Sequence, residues 1–344
     1  MPISAAQLRG LSWEKNTFGI EPRWSSEPDL ASVTSTIQSL WPSRTVQVVF
    51  FAQGAFNKLY QVTVQGEPPL ILRVSLPVDP RYKTLSEVAT VRWLSAFTTI
   101  PVPQVIKFDS SRDSSIGFEW ILMTKLGETS LASIWARLDF PSKSTIVRQF
   151  ASFEACLFRN QLSGIGNIYP PCSSMLTPTT GRIVSMPFFW GNRIHVDLHR
   201  GPFLHSNEWI TARLQLIEAD CITLLNKYPA SMELDSDAED EVDDANRTIT
   251  VSTKLRQLID RVFPKEIVSG EPTMLFHTDL TKSNILVDSA GELTGVVDWE
   301  CVSALPLWKA CSYPSFLQGR PRHDKPDASR YRHGQDQVPS QLYK

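Results

Sequence analysis

Between Val46 and Thr124 the hydrophobic positions come in short runs that alternate with polar ones, the period expected of half-buried strands. Val46-Gln47-Val48-Val49-Phe50-Phe51, Leu59-Tyr60-Gln61-Val62-Thr63-Val64 and Leu70-Ile71-Leu72-Arg73-Val74 predict consecutive strands. Gly54 with Asn57 marks the first turn between them, and Gly66-Glu67-Pro68-Pro69 the second. From Lys83 to Phe97 the spacing becomes helical, with Leu85, Val88, Val91, Trp93, Leu94 and Phe97 apolar, and Pro101 and Pro103 stop the helix. Strands at 104–108 and 118–124 then complete a five-stranded antiparallel sheet with one helix packed across it. The last strand runs through Lys125-Leu126-Gly127 into a helix starting near Ser130.

Beyond residue 126 helical spacing dominates, over Lys143–Leu162, Glu208–Tyr228 and Thr253–Val262, and an irregular insertion rich in Pro, Gly and aromatic residues spans Tyr169–Leu204. Asn284-Ile285-Leu286-Val287-Asp288 and Leu293-Thr294-Gly295-Val296-Val297-Asp298 flank Ser289-Ala290-Gly291 as a hairpin. The acidic run over 233–244 contains no base and is expected to repel itself into an open loop. This reading divides an α+β chain into an N-terminal extension (1–45) with a lead-in helix over 29–40, a sheet lobe (46–125), a helical lobe (126–318) and a disordered polar tail (319–344).

Composition narrows the class without choosing within it. A net charge of -2 gives no electrostatic reason for a nucleic-acid partner. No run reaches the length of a bilayer-spanning helix, so no membrane partner is expected. The five cysteines are scattered and odd in number, which fits a reducing, cytoplasmic compartment. Nothing in the chain speaks to oligomeric state.

The chemistry is concentrated near the end. Phosphoryl transfer needs a carboxylate to orient and deprotonate the attacking hydroxyl, together with oxygen ligands that hold Mg²⁺ on a triphosphate. His277-Thr278-Asp279-Leu280-Thr281-Lys282-Ser283-Asn284 has the pattern H-x-D-x-x-x-x-N, and Asp298-Trp299-Glu300 ends the hairpin that follows. Such a loop can supply the base and one metal ligand, and the hairpin end can supply the metal carboxylate. The plain alternative makes His277 a turn cap, Asp279 and Asn284 loop residues, and Asp298 a strand-end acceptor.

At these residues the chain resembles the aminoglycoside phosphotransferase-like enzymes, relatives of choline and homoserine kinases with a two-lobed protein-kinase-like fold. The likeness rests on H-T-D-L-T-K-S-N-I-L-V-D at 277–288, G-V-V-D-W-E at 295–300, and Gln53-Gly54-Ala55-Phe56-Asn57-Lys58-Leu59-Tyr60, similar to that family's nucleotide loop. Pro101-Val102-Pro103, and Gly201-Pro202-Phe203 before a helix containing Trp209, resemble its large fungal branch. The resemblance implies ATP and Mg²⁺ as cofactors, Asp279 as catalytic base, and Asn284 and Asp298 as metal ligands, with Glu300 tuning that site. It further implies nucleotide contacts from Gly54, Ala55, Phe56 and Asn57, from Arg73 standing where the fold usually places Lys, from Arg73's expected partner Glu87, and from the backbone around Met123. Taken alone, Arg73 reads equally as a surface strand residue, Glu87 as an exposed helix residue, the Gly54–Asn57 turn as an ordinary hairpin, and Met123 as core.

Members of this family continue with further helices after D-W-E, and these wall the acceptor site; here the likeness fades at Gly319. Either the final helices are missing from a truncated C-terminus, leaving Trp308 and Phe316 short of cover, or the 169–204 insertion closes the pocket. The function expected is phosphate transfer from ATP to a hydroxyl or amine of a small molecule, the alternative being a non-catalytic nucleotide-binding or scaffold protein. A protein kinase fits less well, because Trp299-Glu300 stands in place of Phe-Gly and no A-P-E segment follows.

Overall fold

The computed structural model describes residues 3–16, 19–127, 129–170, 179–229, 232–264, 270–288 and 290–318. The 319–344 tail, part of the 169–204 insertion and the hairpin residue Ser289 lie outside the described residues.

The chain opens with a hairpin, β1 (Leu11–Asn16) and β2 (Gly19–Trp24), followed by helix α1 (Leu30–Gln38). Next come β3 (Val46–Gln53), β4 (Asn57–Val64), β5 (Leu70–Ser75), helix α2 (Tyr82–Phe97), β6 (Val105–Asp109) and β7 (Glu119–Thr124). Together these strands form one antiparallel sheet in the order β3-β4-β5-β7-β6. Alternation along each strand divides its side chains between two faces. Leu70, Leu72 and Val74 of β5 and Trp120 and Leu122 of β7 pack with Val33 and Ile37 of α1 and with Trp24, whereas Ile121 and Met123 pack with Val88 of α2. The N-terminal segment is therefore the cover of one sheet face, and its hairpin was invisible to the sequence pattern. Asp29 caps α1 by accepting from the Ser32 amide at 2.9 Å.

Glu119, at the start of β7, is buried and accepts from the backbone amide of Arg81, a residue held at φ +67° at the entrance to α2. Burial pushes its carboxyl up to about 7. Because the folded value lies above the unfolded one of about 4.3, Glu119 costs no stability at low pH. The penalty grows as pH rises from about 4.3 to about 7, where the unfolded state ionises first. Glu119→Gln is expected to flatten the fall of the melting temperature across that window; an unchanged pH profile of thermal unfolding would refute this.

The second lobe contains β8 (Thr129–Ser130), α3 (Leu131–Ile134), α4 (Phe140–Arg159), β9 (Leu162–Ser163), β10 (Ile168–Tyr169), β11 (Thr179–Thr180), α5 (Met186–Phe189), α6 (Ser206–Leu225) and α7 (Ser236–Val262). It ends with β12 (Pro272–Phe276), β13 (Ile285–Val287), β14 (Leu293–Val296), β15 (Ser303–Pro306) and α8 (Leu307–Ala310). Two small sheets, β15-β12-β9 and β14-β13-β8, carry the segment in which the chemistry is expected. Beneath them the core includes Leu131, Ile146, Phe150, Leu275, Ile285 and Trp299.

The acidic run is not an open loop. From Ser236 onward it forms the first turns of the 27-residue α7, of which the expected helix over 253–262 is only the end. Asp235 caps the helix through the Ala238 amide, and Asp237 and Glu239 lie in the first turn, where the positive end of the helix dipole favours acids. Ala238, Ala245, Ser252 and Ile259 form a buried stripe at heptad spacing. Cross-links to α6 and its C-terminal end complete the pairing: Glu241 with Tyr228 at 3.1 Å, Arg256 with Glu218 at 2.6 Å, and Asp260 with Asn207 at 3.0 Å. As one helix ascends the other descends, so the pair is antiparallel. Repulsion among exposed acids is screened, and burial of the stripe outweighs it.

Trp308 is half exposed, packed against Trp209 and Phe263 with its indole N–H donated to Ser206. Phe316 rests between Trp135 and Phe150. Beside it an apolar groove of about 770 Å³ runs between α4 and the 311–317 segment, lined by Phe150, Phe158, Met274, Tyr313 and Leu317.

Candidate active site

The alternation of β5 decides the position of the first functional side chain. Leu72 and Val74 face α1, so Arg73 must face α2, where its guanidinium meets Glu87 at 3.0 Å. Both are buried. The same guanidinium reaches across to the other lobe, contacting Asp298 at 2.7 Å and Glu300 at 2.9 Å. Arg73 is thus neither a surface strand residue nor paired with Glu87 alone; it ties the sheet lobe to the hairpin end. Burial opposes its charge, but Glu300, Glu87 and Asp298 together hold it firmly protonated. Burial pushes the Glu87 carboxyl up in spite of Arg73, and one Glu87 oxygen has no hydrogen-bond partner.

Asp298 has φ +66° and Cys301 φ +57°, left-handed conformations that a non-glycine residue adopts at some cost. This turn presents Asp298 to Arg73 while keeping it partly exposed, its side chain 34% accessible. Glu300 points inward. Burial would raise its carboxyl, yet Arg73 and Lys83, with the Asn57 amide, hold it down at about 2.

Asp279 and Asn284 stand side by side across the loop after β12. The Asn284 amide nitrogen donates to the Asp279 carbonyl at 2.9 Å and to its carboxylate at 3.1 Å. His277 explains how this loop is held to the hairpin. Burial lowers its pKa, so the ring is neutral: Nε2–H donates to the Val297 carbonyl at 3.2 Å, and Nδ1 accepts from the Asp279 amide at 3.3 Å. The Val297 amide in turn donates to the Asn284 carbonyl at 2.9 Å. One imidazole and one backbone bond therefore tie the loop of Asp279 and Asn284 to Val297, the residue before Asp298.

Of the remaining expected residues, Gly54 and Ala55 are exposed at the tip of the β3–β4 turn, and Phe56 and Asn57 fold inward. Phe56 stacks edge-on against Phe189 and Trp190 of the insertion, with centroids 5.6 and 6.2 Å away. The Asn57 amide donates to Glu300 at 2.9 Å. Met123 is not brought to the cluster. Its side chain is core beside Val88 and Ile121, and β7 is paired on both sides at this position, with Ile71 and Val105. The Thr124 and Lys125 amides already donate to the Gln104 and Pro69 carbonyls.

Lys83 was missed by sequence reasoning. It is only 2% accessible, and its ammonium contacts Glu300 at 2.5 Å, Asn57 at 3.0 Å and Ser75 at 3.3 Å. A signal was present in retrospect: a lysine in the first turn of α2 faces the positive end of the helix dipole, and it stays there only if anions compensate it.

For a divalent cation, the donor set is hard oxygen. The amide nitrogen of Asn284 is engaged, which leaves its amide oxygen as the ligand atom, and one Asp298 oxygen is bonded to Arg73. Mg²⁺ commonly takes one or two protein oxygens and completes its shell with phosphates and water, so these residues fit it.

Residues 47–308 match the phosphotransferase enzyme family (APH), and the chain belongs to that family. A subtelomeric hrmA-associated cluster protein of Aspergillus fumigatus is 26% identical over 77% of this chain and 59% of its own length, so the chain spans less than two thirds of that relative. The clavilactone A biosynthesis cluster protein Y of Ampulloclitocybe clavipes is 25% identical over 91% of this chain and 75% of its own. Among solved structures, the aminoglycoside phosphotransferase APH(4)-Ia is 16% identical, covering 80% of this chain and 73% of that one, with a TM-score of 0.45.

Proposed function

We propose that the protein transfers the γ-phosphate of ATP to a hydroxyl or amine of a small molecule, with Mg²⁺ as cofactor. The observation that carries this reading is the junction at His277, which ties the loop of Asp279 and Asn284 to the hairpin end whose next residue, Asp298, contacts a buried arginine. Asp279, exposed and at the loop tip, orients the acceptor and takes its proton. Asn284 and Asp298 hold Mg²⁺, which when bound neutralises charge on the phosphates. Arg73 offers a planar fork to a phosphate oxygen once it releases a carboxylate. Gly54 and Ala55 line the nucleotide side; a Cβ built on Gly54 meets nothing within 4 Å, so the turn tip is open.

A non-catalytic nucleotide-binding role is the second reading, favoured by one observation: Arg73 is already engaged by carboxylates on both lobes. Among the described residues no helix is long and apolar enough to cross a membrane, and the cytoplasmic compartment belongs with this proposal.

An ATP-consumption screen over hydroxyl- and amine-bearing metabolites, with and without Mg²⁺, tests both. Magnesium-dependent phosphorylation of an acceptor is expected. A magnesium-dependent thermal shift with ATP but no turnover on any acceptor supports the second reading, and neither shift nor turnover rejects both.

A further inference from the structure

We infer that Lys83 is a positioning residue whose ammonium neutralises Glu300 and so keeps Arg73 available to the nucleotide phosphates. This rests on the reading above, that the chain binds MgATP.

The buried centre contains two cations, Arg73 and Lys83, and three carboxylates, Glu87, Asp298 and Glu300, each within 3.0 Å of at least one of the cations. Asp298 alone among the three is substantially exposed, at 34%, against 2% for Glu87 and 11% for Glu300. With all five groups ionised the cluster carries one excess negative charge, and Asp298 is the carboxylate of the three most open to a cation from outside. Removing Lys83 would double that excess and leave Arg73 as the one cation contacting Glu300 among the described residues.

Competition at Glu300 is visible atom by atom. A single oxygen, Oε2, receives Arg73 at 2.9 Å, Lys83 at 2.5 Å and the Asn57 amide at 2.9 Å. Without Lys83, Arg73 would be drawn more tightly to a buried carboxylate, and moving it onto a phosphate would leave that charge unpaired, a costly state in a low-dielectric site. Lys83 has no such choice of partners. At 2% accessibility it lies behind Glu300, and its ammonium hydrogens match three acceptors supplied by different elements: Asn57 opening β4, Ser75 closing β5 and Glu300 after β14. It acts through Glu300 and Asn57 and does not touch the phosphates.

The test is a double-mutant cycle read by calorimetric binding of Mg·AMP-PNP to the full chain, with circular dichroism as the check on folding. Lys83→Met is expected to weaken binding about tenfold or more, and Lys83→Arg, which keeps the charge, to recover part of the loss. In the Glu300→Gln background the same Lys83→Met change is expected to cause no further loss, because the charge to be neutralised is gone. If Lys83→Met alone fails to fold, the comparison of Glu300→Gln with the double variant decides. A further loss on adding Lys83→Met there, or wild-type affinity in the single variant, overturns the inference while the function reading stands. Failure of the wild-type chain to bind Mg·AMP-PNP overturns both.

Discussion

Asp279→Asn is expected to lower turnover by about a hundredfold to ten-thousandfold, the usual worth of a general base, while changing nucleotide affinity only a few-fold. The substitution preserves shape and removes the ability to take a proton. Asp279 is exposed, and its contacts within the loop are mainly made by the backbone: its carbonyl accepts from Asn284 and its amide donates to His277. The variant should therefore fold as the parent does, and the loss should fall on kcat. Steady-state kinetics with the acceptor found by screening, or residual ATP hydrolysis in its absence, would measure it. Undiminished kcat would remove Asp279 from the chemistry.

The second large effect is expected at Arg73. Arg73→Leu strands Glu87 and Glu300, two buried carboxylates whose other compensation is Lys83 and neutral donors. Breaking a buried ion pair from one side costs about 3–5 kcal/mol. Part of this will be recovered by protonation of Glu87, which burial already pushes up. Arg73→Lys should fall between parent and Leu variant, because the fork puts one nitrogen at Glu87 (3.0 Å) and the other at Asp298 and Glu300 (2.7 and 2.9 Å), two positions that one ammonium nitrogen cannot occupy together. Urea midpoints of the three proteins, together with Mg·AMP-PNP affinity, rank them; a Leu variant with the parent's midpoint and affinity would contradict the ion-pair account.

Strand and helix identities in the sheet lobe were legible because each element has a single period and clear punctuation. The helix at 83–97 and the strands at 46–51, 59–64 and 70–74 were placed within a few residues of α2, β3, β4 and β5. Local signals misled where tertiary burial outweighs them. The acids at 233–244 look self-repelling in isolation, yet an antiparallel partner helix and a well-capped N-terminus make those from Asp237 onward helical. The β1–β2 hairpin left no readable trace because its residues are mostly half-exposed or exposed and its alternation is weak.

The loop pattern H-x-D-x-x-x-x-N and the following D-W-E mark Asp279, Asn284 and Asp298 as candidates, because their spacing along a loop and a hairpin is a property of the chain itself. Which cations stand among the carboxylates was not. Whether Arg73 meets solvent or Glu87 depends on α2 covering the face of β5 opposite α1, and whether Lys83 snorkels outward or is buried depends on a glutamate more than two hundred positions away. Periodicity along a chain encodes which residues share a face. Only the packing of separate elements decides which charges meet, and at buried distances near 3 Å that meeting governs their protonation and their use.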